Sequence, residues 1–130
     1  MASVNDQPWH PDTLAVRAGL ARSGFDETAE ALYLTSGFVY ATAEDAEAAF
    51  KEEIDRFLYS RYANPTVTMF EERLRQLECA EACYATATGM SAVFTSLAAL
   101  LNTGDRVVAS RGLFGSCFVI LDEILPRWGV

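Results

Sequence analysis

Residues 82–110 read ACYATATGMSAVFTSLAALLNTGDRVVAS, and the hydrophobic period changes twice within them. The short apolar run 82–86 has the pattern of a buried strand. From Gly89 the spacing changes, and residues 90–101, apolar nearly all round, predict a buried helix. Residues 102–105 (NTGD) make a turn, 106–110 (RVVAS) a second strand, and a third helix is expected over roughly 116–125. Strand, helix, strand, helix with short links predicts an α/β protein with a right-handed βαβ unit in a parallel sheet. A parallel sheet needs more strands than these, and cover on both faces.

Working back from there, Asn64-Pro65 is a strong helix start, with Asn as N-cap and Pro in the first turn. Val67, Phe70, Leu74 and Leu77 follow as an apolar stripe. The preceding stretch 57–61 (FLYSR) is a short extended candidate. Further upstream, Thr42 with Asp45 opens a helix whose apolar stripe is Ala46, Phe50, Ile54 and Phe57. Residues 3–40 are punctuated by Pro8, Pro11, Gly19, Gly24 and Gly37 and read as an arm of short pieces, extended over 31–39. Such an arm builds no core and is expected to lie on the rest of the domain or on another subunit.

The 130 residues suffice for one ordinary domain with a core. A net charge of −8 argues against nucleic acid or an anionic membrane as the main partner. That charge is uneven. Residues 1–55 hold 11 acidic and three basic side chains, whereas 56–130 hold seven of each. A change of role is therefore expected near Arg56, with 1–57 as arm and acidic helix and 58–130 as the start of a compact domain. The polar N-terminus is no signal peptide and no stretch has the length of a membrane helix, so the cytoplasm is the expected location. Cys79, Cys83 and Cys117 lack metal-site spacing and read as small buried hydrophobes in a reducing compartment.

Candidate chemistry is sparse. Lys51 is the only lysine and His10 the only histidine. Lys51 stands among acidic residues and is expected to be a solvated partner of Glu47 or Asp55, not a nucleophile. The junction 86–92 (TATGMSA) is a candidate phosphate cradle: glycine permits close approach, and the helix-start N–H groups point at the anion. Glycine there equally serves tight helix–strand packing. Tyr59 and Arg61, two apart, project from one face of an extended segment, with Ser60 and Tyr62 on the other. A phenol beside a guanidinium fork suits phosphate or carboxylate, or is a surface pair. Phe114, just past the second strand, covers a flat ring or joins the core.

In order along the chain, Tyr59-Ser60-Arg61-Tyr62-Ala63-Asn64-Pro65-Thr66, Ala87-Thr88-Gly89-Met90-Ser91-Ala92, Gly104-Asp105 and Leu113-Phe114-Gly115 resemble the Cys/Met-metabolism family of pyridoxal-phosphate (PLP) enzymes. Residues 13–19 (TLAVRAG) and 34–36 (LTS) also match. The resemblance implies the first βαβ part of a fold type I, aspartate aminotransferase-like large domain, preceded by an N-terminal arm. It implies that Tyr59 and Arg61 reach the cofactor phosphate of a neighbouring subunit, that the backbone at Gly89 and Met90 holds the phosphate within the subunit, and that Phe114 stacks on the pyridine ring. Most relatives carry tyrosine at that last position. The Leu113-Phe114-Gly115-Ser116 form resembles the O-succinylhomoserine sulfhydrylase branch, which makes homocysteine from an O-acylhomoserine and sulfide. Cystathionine γ-synthase or γ-lyase activity, and a non-catalytic fragment or assembly module, are the alternatives. A homotetramer built from catalytic dimers is also implied. The family's Schiff-base lysine lies well downstream of the TGM motif, and Lys51 precedes it. On this resemblance the chain is the N-terminal third of a larger enzyme, carries no catalytic residue of its own, and is inactive alone.

Overall fold

The computed structural model describes residues 9–130, which fall into two compact units, the first reaching Tyr84 and the second Ala85–Val130.

In the first unit, α1 (Pro11–Arg17), α2 (Ala43–Phe50) and α3 (Pro65–Leu77) are joined by turns and irregular chain. α1 is one of the short pieces of the arm, and the sequence pattern did not mark it as a helix. His10 caps it, Nδ1 accepting from the Asp12 N–H at 3.3 Å, and Pro11 occupies its first turn. Seven residues do not make a stable helix in isolation, so packing must hold α1. That packing is against α3. Ala18 is buried, and Gly19 adopts φ +71° at a point where a Cβ would sit 2.6 Å from the Met69 carbonyl oxygen and 3.0 Å from the Arg73 nitrogen. Arg73 Nε donates to the Ala18 carbonyl at 2.9 Å, and the same guanidinium pairs with Glu30. The arm therefore lies on the domain's own helix.

Asn64 organises the start of α3. Its Oδ1 accepts from the Thr66 N–H at 2.9 Å, while Nδ2 donates to the Tyr33 carbonyl at 3.0 Å and to Ser60 Oγ at 2.9 Å. It is the buried polar side chain among the described residues. Thr66 Oγ1 accepts from the Tyr33 N–H at 2.9 Å, so the stretch 31–39 hangs from the helix start. Replacing Asn64 with alanine removes the cap and orphans buried partners, so a loss of about 2–3 kcal/mol is expected by denaturant unfolding.

The observed burial of α3 differs from the expected stripe. Met69 is the buried residue, while Val67 and Phe70 are exposed. The face read from periodicity is apolar, but the arm covers the face carrying Met69 and Arg73. α2 begins as expected, Thr42 Oγ1 accepting from the Asp45 N–H at 3.0 Å, but it ends at Phe50 and leaves Ile54 and Phe57 outside it. Its end is a Schellman closure: the Glu53 N–H donates to the Ala48 carbonyl at 2.9 Å and Glu52 takes the left-handed conformation, φ 60°. α3 closes in the same way, the Ala80 N–H reaching the Arg75 carbonyl at 2.9 Å with Cys79 at φ 51°. Cys79 is consequently exposed at a helix cap rather than buried, and Cys83 and Cys117 are half-buried, all three as free thiols.

Within α3, Glu72 accepts from Arg75 Nε and Nη2 at 2.8 and 2.7 Å and from Gln76 Nε2 at 2.7 Å. The Arg75 hydrogen bonds bring its carboxyl from 4.5 down to about 2, against an opposing push from burial. A depressed folded-state pKa gives stability that is present above the ordinary value and lost as pH falls through the folded one. Both side chains are over a third exposed, so screening keeps the contribution below about 1 kcal/mol. Glu72→Gln is expected to lower the unfolding midpoint at pH 7, and the gap from the parent protein to vanish as the pH approaches 2.

In the second unit, α4 (Gly89–Leu100) leads into the expected turn. The Asn102 N–H donates to Asp105 Oδ2 at 2.6 Å, and Gly104 takes φ +95°. The turn is clasped to the end of the chain, Thr103 Oγ1 donating to the Trp128 carbonyl and the Gly104 N–H to the Gly129 carbonyl, both at 2.8 Å. The Trp128 ring meets Phe94 of α4 edge-on at 5.4 Å. No residue of α4 is buried, contrary to the expectation for so apolar a helix, because residues 85–130 cover only one of its sides. The third helix also differs. α5 (Gly115–Val119) widens into a π segment, Ile120–Ile124, and tightens into a 3-10 turn, Leu125–Trp128. Pro126 accounts for this, since it has no N–H and its ring crowds the carbonyl four residues back.

Residues 82–86 and 106–110, expected as strands, lie outside the helices and turns, and neither forms a ladder. The bridge Gly37↔Tyr59, antiparallel, is the one strand pairing among the described residues. Val108 is 98% exposed. A strand exists only against a neighbour, and these residues offer neither stretch a partner.

Candidate functional site

The Tyr59–Arg61 grouping forms at a turn, not on an extended segment. The Tyr62 N–H donates to the Tyr59 carbonyl at 2.9 Å and the Ala63 N–H to the same oxygen at 3.2 Å. Leaving the bridge to Gly37, the chain reverses at Ser60-Arg61 because Ser60 is tied down: its N–H donates to the Ser36 carbonyl at 2.9 Å and its hydroxyl to the Thr35 carbonyl. The turn brings Tyr62 to the same side as Tyr59, correcting the alternation expected for a strand. The two rings meet edge-on at 6.3 Å, and the Arg61 guanidinium carbon lies 4.8 Å from the Tyr62 centroid and 5.5 Å from that of Tyr59. No carboxylate pairs with Arg61 among the described residues. Its guanidinium carbon lies over both aromatic rings, and its N–H groups have no hydrogen-bond partner among the described residues. Tyr62 was missed as a member of this group; the i, i+3 spacing from Tyr59 across a turn was the available signal.

The second grouping is the start of α4. Thr88 caps it, Oγ1 accepting from the Ser91 N–H at 3.1 Å, and the Thr88 carbonyl accepts from the Ala92 N–H at 3.0 Å. The N–H groups of Gly89 and Met90 have no acceptor among the described residues. A Cβ built on Gly89 would meet nothing within 4 Å, so tight packing does not explain this glycine. Thr86, expected to offer a hydroxyl, donates it to the Thr88 carbonyl at 2.8 Å and braces the loop instead. Two orphan donors at the positive end of a twelve-residue helix, with open space before them, suit a phosphate. Beside them, Met90, Phe94, Val119, Ile120 and Ile124 help line an apolar groove of about 440 Å³. Phe114, at the start of α5, is 70% exposed and does not line that groove.

Lys51 is where the charge pattern put it. It ends α2 and forms an ion pair with Glu47, one turn back. No group of three or more His, Cys, Asp or Glu suited to a metal occurs among the described residues, and no helix among them is long and apolar enough to cross a membrane.

Arg61 beside two aromatic rings and, separately, a glycine-opened helix start with idle amides are each of a kind that suits an anion. The Cys/Met metabolism PLP-dependent enzyme family matches residues 12–130, and the chain belongs to that family, whose cofactor is pyridoxal phosphate. An O-succinylhomoserine sulfhydrylase of Mycobacterium tuberculosis is 66% identical over 118 residues, covering 91% of this chain and 29% of that protein. An L-methionine gamma-lyase of Treponema denticola is 36% identical over 115 residues, covering 88% of this chain and 29% of that protein. Among solved structures, one assigned as an O-acetylhomoserine (thiol)-lyase of Campylobacter jejuni, crystallised with N'-pyridoxyl-lysine-5'-monophosphate, superposes with a TM-score of 0.84 at 25% identity. That match covers 93% of this chain and 30% of the other. The chain thus spans less than a third of the length of the curated relatives it matches.

Proposed function

We propose that the chain is the N-terminal portion of a PLP-dependent O-succinylhomoserine sulfhydrylase, a Cγ-replacement transferase of methionine biosynthesis. The observation that carries this reading is the 66% identity to the mycobacterial sulfhydrylase, against 36% to the methionine gamma-lyase. The reaction breaks the Cγ–O bond of an O-acylhomoserine, releasing the carboxylate, and joins the sulfur of sulfide to Cγ to give homocysteine. When bound, PLP supplies the electron sink for that chemistry.

This chain's residues hold and orient. The Gly89 and Met90 amides donate to the cofactor phosphate within the subunit, with the α4 dipole behind them. Tyr59 and Arg61 donate to the phosphate of a neighbouring copy, so the site is assembled from two protomers. Phe114 stacks on the pyridine ring; lacking a hydroxyl, it moves no proton. On this reading residues 58–130 begin a fold type I large domain whose strands pair with later segments, the assembly is a dimer of catalytic dimers, and the location is cytoplasmic. The amine that anchors the cofactor comes from outside these residues, since Lys51 is engaged with Glu47 on an acidic surface.

Supplying the assembled enzyme with O-succinylhomoserine and sulfide tests the assignment, with homocysteine followed against time. Homocysteine is expected to form faster than methionine is broken down. Faster release of a thiol from methionine would favour a lyase, as the similarity to the gamma-lyase allows. No turnover of either substrate would favour a non-catalytic fragment or assembly module.

A further inference from the structure

We propose that Tyr62 is a positioning residue that presents the Arg61 guanidinium edge-on to the phosphate; this rests on the reading that Arg61 grips that phosphate. The Arg61 guanidinium carbon stands 4.8 Å from the Tyr62 ring centroid, closer than the 5.5 Å to Tyr59. The two rings, edge-on to each other at 71°, form a corner, and the guanidinium carbon lies over the face of each ring. A cation–π contact uses the guanidinium face, whereas phosphate binding uses the N–H fork in its plane, so both are satisfied together. Tyr62 has no other evident duty. It is 69% exposed, its hydroxyl has no hydrogen bond among the described residues, and its ring contacts there are with Tyr59 and Arg61.

A long arginine side chain on a turn samples many rotamers, and only those aimed at the phosphate bind. Apparent affinity falls with the fraction of competent conformers. Removing the Tyr62 ring lowers that fraction and leaves the N–H donors themselves intact. A partly exposed contact of this kind corresponds to about a two- to fivefold weakening.

The experiment is a PLP titration of the assembled enzyme, stripped of cofactor, followed by absorbance. Tyr62→Leu and Tyr62→Gln are expected to raise the PLP dissociation constant about two- to fivefold. Tyr62→Phe, which keeps the ring, should match the parent protein. In an Arg61→Ala background Tyr62→Leu should add nothing. A merely structural role would move the thermal midpoint and the affinity in Tyr62→Phe and in the Arg61→Ala background alike. Unchanged affinity in both ring-less variants, while Arg61→Ala weakens binding, overturns the positioning role and leaves the phosphate grip standing. An additive loss in the Arg61→Ala background, or a loss in Tyr62→Phe equal to that in Tyr62→Leu, also overturns it. Unchanged affinity in Arg61→Ala itself removes the grip and this inference together.

Discussion

Arg61→Ala in the assembled enzyme is expected to raise the dissociation constant for PLP by roughly ten- to a hundredfold. The estimate follows from the worth of a hydrogen bond to a charged group, about 1.5–3 kcal/mol. The phosphate needs positive donors, and the chain carries a net charge of −8. Arg61 is held against two rings with its donor edge unpaired by any carboxylate among the described residues. Lysine is no full substitute, because an ammonium is a point donor without the guanidinium's fork, so Arg61→Lys should fall between the parent and Arg61→Ala. Equilibrium titration of cofactor-free enzyme measures the effect directly. An Arg61→Ala protein with parental affinity would remove Arg61 from the site.

The largest effect on stability is expected at Gly19. Alanine there meets two costs at once. φ +71° is a left-handed conformation that penalises any Cβ, by about 1–3 kcal/mol where the fold enforces it. The added carbon would also lie 2.6 Å from the Met69 carbonyl oxygen and 3.0 Å from the Arg73 nitrogen, both α3 backbone and unable to rotate away. Relief would require lifting the arm off α3, releasing buried Ala18 and the bond from Arg73 to its carbonyl. Gly19→Ala should therefore lower unfolding stability by about 3 kcal/mol or more. Gly24→Ala, where a Cβ meets nothing within 4 Å, should change it by under about 0.5 kcal/mol. Equal midpoints for the two variants in a denaturant series would contradict the packing described for the arm.

Local chemistry was legible in the sequence, and long-range pairing was not. Helix starts could be read because a cap is made by residues two or three apart: Thr42 to Asp45, Asn64 to Thr66, Thr88 to Ser91. The NTGD turn and the Lys51–Glu47 pair were readable for the same reason. α1 escaped notice because its stability lies in contact with α3, some 50 residues on, and nothing in its own short sequence demands a helix. The strand readings at 82–86 and 106–110 met no pairing partner, since pairing belongs to a neighbour that the stretch itself does not encode. Alternation placed Tyr62 opposite Tyr59, but Ser60's bonds to Thr35 and Ser36 turn the chain there. The apolar stripe of α3 could be read from its period, but not that the arm covers the face carrying Met69 and Arg73. Of the candidate site, the residue types at Tyr59, Arg61, Gly89 and Met90 could be read from the chain; the third member of the arginine corner needed the turn.

A structure of the assembled enzyme with PLP bound tests the central claim most directly, through the distances from the phosphate oxygens to four groups. The account predicts the Gly89 and Met90 amide nitrogens of one protomer and the Tyr59 hydroxyl and Arg61 guanidinium of another all within about 3.2 Å of those oxygens. A phosphate held elsewhere, with these four groups facing solvent or one another, would contradict it.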